Sequence, residues 1–89
     1  MIEGDPVSWL VVEPGWKVVD AEGNEVGQVE EVEGDLNADI FNGLIISTGL
    51  LGGRRYVPAE QTSLITVGRV HLRLTNDEVK DLTDAPAPS

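Results

Sequence analysis

The apolar runs of this chain are short, rich in Val, Leu and Ile, and soon closed off by Gly, Pro or Asn. That punctuation suits strands of a few residues and leaves no room for long helices. Trp9-Leu10-Val11-Val12 is apolar and β-prone, and Pro14-Gly15 then breaks the chain. A strand is predicted at residues 16–20, followed by a hairpin turn at 21–24 in which Gly23 supplies a positive φ. The return strand, residues 25–33, carries Val26, Val29 and Val32 at a spacing that fits neither strand nor helix cleanly. A helix there would contain Gly27 and three valines, all poor helix formers. The spacing therefore predicts a strand with a bulge near Gly27, which turns Val26 and Val29 to the same side.

A polar loop is expected at 34–39 and a strand at 40–47, whose Leu44-Ile45-Ile46 core is apolar on both faces. A Gly-rich turn spans 48–53, and a strand at 54–58 ends on Pro58. Residues 64–67 and 70–74 form two further strands around a tight turn at Gly68-Arg69. In the last strand Val70, Leu72 and Leu74 point inward, and His71 and Arg73 outward. Thr75 and Glu78 have capping-box spacing, which predicts a short helix bearing Val79 and Leu82. Five or six short strands with frequent turns argue for an antiparallel barrel or sandwich. The expected organisation is a loose arm at 1–8, a domain at 9–82 and a disordered proline-containing tail at 83–89.

At 89 residues the core is modest, and without cysteines no disulfide or zinc–thiolate staple supports it. Self-association is one way to bury more apolar surface. The net charge is −10, which opposes binding to nucleic acid. Residues 1–53 hold eleven acids and the single base Lys17, whereas 54–89 hold five of each sign. The N-terminus lacks the basic start of a signal peptide, and no apolar run approaches a bilayer span. A cytoplasmic protein without membrane insertion is expected.

No catalytic, cofactor or metal residues are assigned. Asp35, Asn37 and Asp39 open like a calcium loop, but Ile40 and Ile46 stand where such a loop needs Gly and Glu. The glycines before Arg54-Arg55 lack the Lys-Ser/Thr of a phosphate loop. His71, the only histidine, has no local nucleophile or orienting acid. Glu30, Glu31, Glu33 and Asp35 read as a solvated or partner-facing patch. Arg54, Arg55, Arg69 and Arg73 are expected to meet carboxylates of the acidic half.

The stretch from Gly15 to Val29, with its Gly-containing hairpin turn and Val26-Gly27-Gln28-Val29 return strand, resembles the opening of a PRC-barrel domain. Ile40-Phe41-Asn42-Gly43-Leu44-Ile45-Ile46, then Arg55-Tyr56-Val57-Pro58-Ala59-Glu60, then Gly68-Arg69-Val70-His71-Leu72 follow in the same order. The resemblance covers about residues 9–82 and is nearest to small stand-alone bacterial members of unassigned role. It implies a mostly β, small closed antiparallel barrel of five to six strands with a short C-terminal helix. Family members such as the reaction-centre H subunit and a ribosomal RNA processing factor share protein contact rather than catalysis. The chain lacks the membrane helix of the first and the RNA-contacting domain of the second. The expected function is a non-enzymatic protein-interaction or adaptor module that forms a homodimer. The alternative is an accessory role in RNA processing or ribosome maturation. The surplus apolar and cationic residues Trp9, Leu10, Leu44, Ile46, Leu50, Leu51, Arg54 and Arg55 form the candidate interface.

Overall fold

Asp20 begins the first hairpin by accepting, through Oδ1, the backbone N–H groups of Glu22 (2.9 Å) and Asn24 (2.8 Å). Gly23, at φ +87°, completes the turn. This and the rest of the fold are seen in a computed structural model that describes residues 7–35, 37–48 and 53–82. The turn joins β1 (Lys17–Val19) to β2 (Glu25–Asp35) in antiparallel register. Val18 faces Gly27 while Val19 faces Glu25, so Val26 is an extra residue and the expected bulge is present. Gly27 is required there: a Cβ would collide with the Ser47 carbonyl oxygen of the strand on its other side.

β3 (Ile40–Ser47) and β4 (Arg54–Pro58) extend the sheet with the bounds expected from the sequence. A three-residue 3-10 turn, Ala59–Gln61, leads to β5 (Thr62–Thr66), and Gly68 (φ +80°) turns the chain into β6 (Arg69–Leu72). Helix α1 (Asn76–Lys80) has the predicted capping box. Thr75 Oγ1 accepts the Glu78 N–H at 3.3 Å, and Glu78 Oε1 accepts the Thr75 N–H at 2.9 Å.

Two features correct the barrel expectation. The sheet order is β4-β3-β2-β1-β6-β5, and β6 runs parallel to β1 rather than antiparallel. Nor is the sheet closed: β4 and β5 are its two edges and do not pair. They are nonetheless joined by only three residues, which reach at most about 11 Å. The sheet therefore curls until its edges approach at one end, yet it stops short of closure. The seam is tied by other bonds. Arg73 N donates to Gln61 O at 2.7 Å, and Arg55 Nη1 on β4 donates to Leu82 O beyond α1 at 3.3 Å.

The core lies inside this curl. Val18, Leu44, Ile46, Val57 and Val70 are fully buried, with Leu72 and the α1 residue Val79 packed beside them. A five-residue helix has little stability of its own, so α1 depends on its cap and on Val79. The β-prone run at 9–12 is not a strand. Ser8 Oγ caps it by accepting the Leu10 N–H at 3.1 Å, and residues Trp9–Val11 form a 3-10 turn that delivers Val12 to the core. Within the expected loose arm, Val7 N donates to Ile65 O of the β5 edge at 2.8 Å, and residues 1–6 lie outside the described part. So do the expected tail at 83–89 and residues 49–52 of the Gly-rich turn.

Candidate interaction surface

Strand alternation and bulges decide which residues of β2 and β3 face out. Phe41 pairs with Gly34, and Trp9 lies on both. The Trp9 and Phe41 rings stack at 5.3 Å with an interplanar angle of 11°. A Cβ at Gly34 would sit 2.9 Å from Trp9 Cη2, so the glycine is the seat of the indole. Trp9 Nε1 donates to Asp39 Oδ1 at 3.2 Å. Asp39 is the one non-glycine residue with positive φ (53°) among those described, a conformation Asp tolerates. Trp9 thereby pins the first turn to the far end of the β2–β3 hairpin.

Three of the four large, well-exposed apolar side chains flank this joint. Leu10 and Val11 are 48% and 49% exposed, and Ile40, between Asp39 and Phe41, is 51% exposed. Ile40 points to the hairpin face opposite Phe41, where its cross-strand neighbour is Asp35. Glu33 lies on the same face beside Gly43, and Glu13 is exposed two residues beyond Val11. The end of the molecule is thus apolar with an acidic rim.

The sequence-level candidates fall into different places. Leu44 and Ile46 have no exposed area; they are core, so neither contributes surface, and the apolar excess that motivated self-association is absorbed within one chain. Ile45 faces the other way yet is only 3% exposed, and its neighbours there are Tyr56 and Glu31. Tyr56 leans over Gly43 and donates its hydroxyl to Asn42 O at 2.9 Å. Leu50 and Leu51 lie outside the described residues.

Arg54 is held by Glu30 at 3.6 Å and Glu31 at 3.5 Å. A second bulge makes this possible, because Glu30 is extra between the pairs Val29–Ile46 and Glu31–Ile45. An expected meeting of arginines with acids is therefore realised on β4, by a clasp that no linear spacing announces. Arg69 and Arg73 lie elsewhere, on the outward side of β6 with His71 between them and Lys17 next to Arg69 across the β1–β6 ladder. His71 Nε2 lies 3.3 Å from Thr66 Oγ1. Burial, and secondarily the Arg69 charge, hold its pKa below the ordinary histidine value.

The acids of the 35–39 loop have local partners. Asp35 Oδ1 accepts the N–H groups of Asn37 (2.9 Å) and Ala38 (3.2 Å), and Asp39 takes Trp9. Among the described residues no three His, Asp or Glu side chains gather as metal ligands. In that same set no helix is long and apolar enough to cross a membrane.

The missed element of this surface is the Trp9–Phe41–Asp39 joint. Gly34 was its only sequence signal: a glycine inside a strand marks a close approach, here by an indole.

A curled, open mixed sheet that buries its apolar residues and exposes an apolar, acid-rimmed end defines a small β domain whose distinguishing feature is its outer surface. The chain belongs to the family described as "uncharacterized protein conserved in bacteria (DUF2171)", which matches residues 12–80. Comparison with curated proteins gives no match. The PRC-barrel resemblance is corrected by this family match and by the unclosed sheet. Its motifs were a glycine hairpin and a glycine-bearing return strand, features that any small curled sheet needs wherever strands cross closely.

Proposed function

We propose that this domain is a non-enzymatic protein-interaction module whose contact surface is the Trp9–hairpin end. The observation that carries this reading is the exposure of Leu10, Val11 and Ile40 around one rigid joint. Exposed aliphatic side chains cost solubility unless a partner covers them, and clustering beyond scattered single residues marks an interaction site. The joint is pre-organised by a stacked tryptophan, an indole hydrogen bond and a glycine seat, so little ordering entropy is lost on binding.

A photo-crosslinking side chain placed at Val11 or Ile40 in living bacterial cells tests the reading. Adducts with a discrete protein are expected from both positions and not from Gln28 or Lys80, which are exposed elsewhere. Equal labelling from all four positions, or none from Val11 and Ile40, overturns it.

A further inference from the structure

Charge decides which kind of protein the apolar end suits. Ile40 shares its face of the hairpin with Asp35 and Glu33, and Glu13 borders Val11. Among the described residues no cation pairs with any of these three carboxylates, since Arg54 is engaged with Glu30 and Glu31 and Lys17 with Glu25. The single base in residues 1–53, Lys17, lies on β1 away from this end. The surface thus combines uncovered apolar side chains with uncompensated negative charge.

A second copy docking symmetrically would set Glu33 and Asp35 of one chain against the same residues of the other, a like-charge contact in a molecule already at −10. A phosphate-bearing partner meets the same repulsion. Resting on the interaction reading above, we infer that the occupant of this end is a basic, amphipathic segment of another protein. It seats aliphatic side chains on Leu10, Val11 and Ile40 and turns Lys or Arg toward Glu33 and Asp35. Those two carboxylates are two residues apart on β2, about 7 Å along the strand. Alternate residues of a strand, or residues one turn apart on a helix at about 6 Å, match that separation.

Three synthetic peptides test the assignment by amide NMR titration of the full chain: an amphipathic Leu/Lys peptide, its Leu/Glu counterpart and a Gly/Lys peptide of equal charge. The Leu/Lys peptide is expected to shift Leu10, Val11 and Ile40, with affinity that falls as salt is raised. The Leu/Glu and Gly/Lys peptides are expected to leave these resonances in place. Glu33→Gln is expected to weaken Leu/Lys binding about two- to fivefold, the range of an exposed ion pair. Ile40→Ser removes the apolar contact and is expected to weaken it further. Both positions are exposed, so an unchanged spectrum of the free variants confirms that they fold. Equal binding of the Leu/Glu or the Gly/Lys peptide, shifts confined to other surfaces, or no binding of the Leu/Lys peptide overturns the inference. Crosslinks from Val11 and Ile40 persisting alongside such a result would leave the interaction reading intact and discard only the basic partner.

Discussion

Asp20 shows how one buried carboxylate is kept charged. Its residue is only 2% exposed. Burial raises the pKa of a carboxyl, but hydrogen bonds from the backbone of Asn24 and Glu22 outweigh it. The Asn24 side chain and the Asn76 backbone also favour the anion, and together they hold the group below its ordinary 3.8. A carboxyl depressed on folding stabilises the native state at pH values above its unfolded pKa, and that stabilisation is lost as pH falls through the folded pKa. Asp20→Asn is therefore expected to be less stable than the parent near neutral pH, with the gap narrowing in acid below the ordinary carboxylate range. Denaturant unfolding at both pH values measures it; a gap of constant size would show that the charge is irrelevant. The turn itself was legible from Gly23 and Asn24, but the role of Asp20 was not. A single acid at a strand end looks like any solvated acid until the fold buries it.

The β2–β3 hairpin owes its shape to irregularities rather than to regular pairing. Extra residues at Val26 and Glu30 on β2, and at Asn42 on β3, coil the ribbon and re-aim its side chains. The first was readable because three valines at every third position conflict with strand alternation. The other two fall among Glu, Gly and Asn residues, where no apolar pattern exists to be broken. The far end of the ribbon then depends on Gly34. Gly34→Ala would bring a Cβ to 2.5 Å from Ile40 O and 2.9 Å from Trp9 Cη2, too close for either contact. Trp9 must lift, losing a stack of about 0.5–1.5 kcal/mol. The variant is expected to be destabilised by about 1–3 kcal/mol, as in other overpacked sites. Trp9 fluorescence in a Trp16→Phe background, with unfolding curves, reports both effects; an unchanged emission spectrum would show that the indole does not rest on Gly34. Helix α1 offers a contrast, since its cap was plain in the sequence. Local hydrogen-bond chemistry is readable at fixed spacing, whereas aromatic contact across thirty-odd residues is not.

At the scale of the whole molecule, strands were legible and their arrangement was not. The bounds of β3 and β4 follow from residues 40–47 and 54–58, and the inward set Val70, Leu72 follows from alternation. Alternation is blind to strand direction, however, so nothing in residues 69–72 signals that β6 lies parallel to β1. Nor does it signal that β4 and β5 stay unpaired. Charge is organised at this scale as well. The unneutralised acids at the hairpin end add to a net charge of −10, and self-repulsion of that size opposes the compact state. The ion pairs that salt would weaken are few and mostly exposed, such as Lys17–Glu25 at 3.7 Å and Lys80–Asp77 at 3.9 Å. Screening should therefore relieve more repulsion than attraction, because the Debye length shrinks from about 30 Å at 0.01 M to about 10 Å at 0.1 M salt. The melting temperature is expected to rise with sodium chloride over that interval. Glu33→Gln with Asp35→Asn is expected to reduce the rise, since Asn at position 35 retains an oxygen for the Asn37 and Ala38 N–H groups. A melting temperature that falls with salt would mean that attraction dominates, and that the Arg54 clasp outweighs the acidic end.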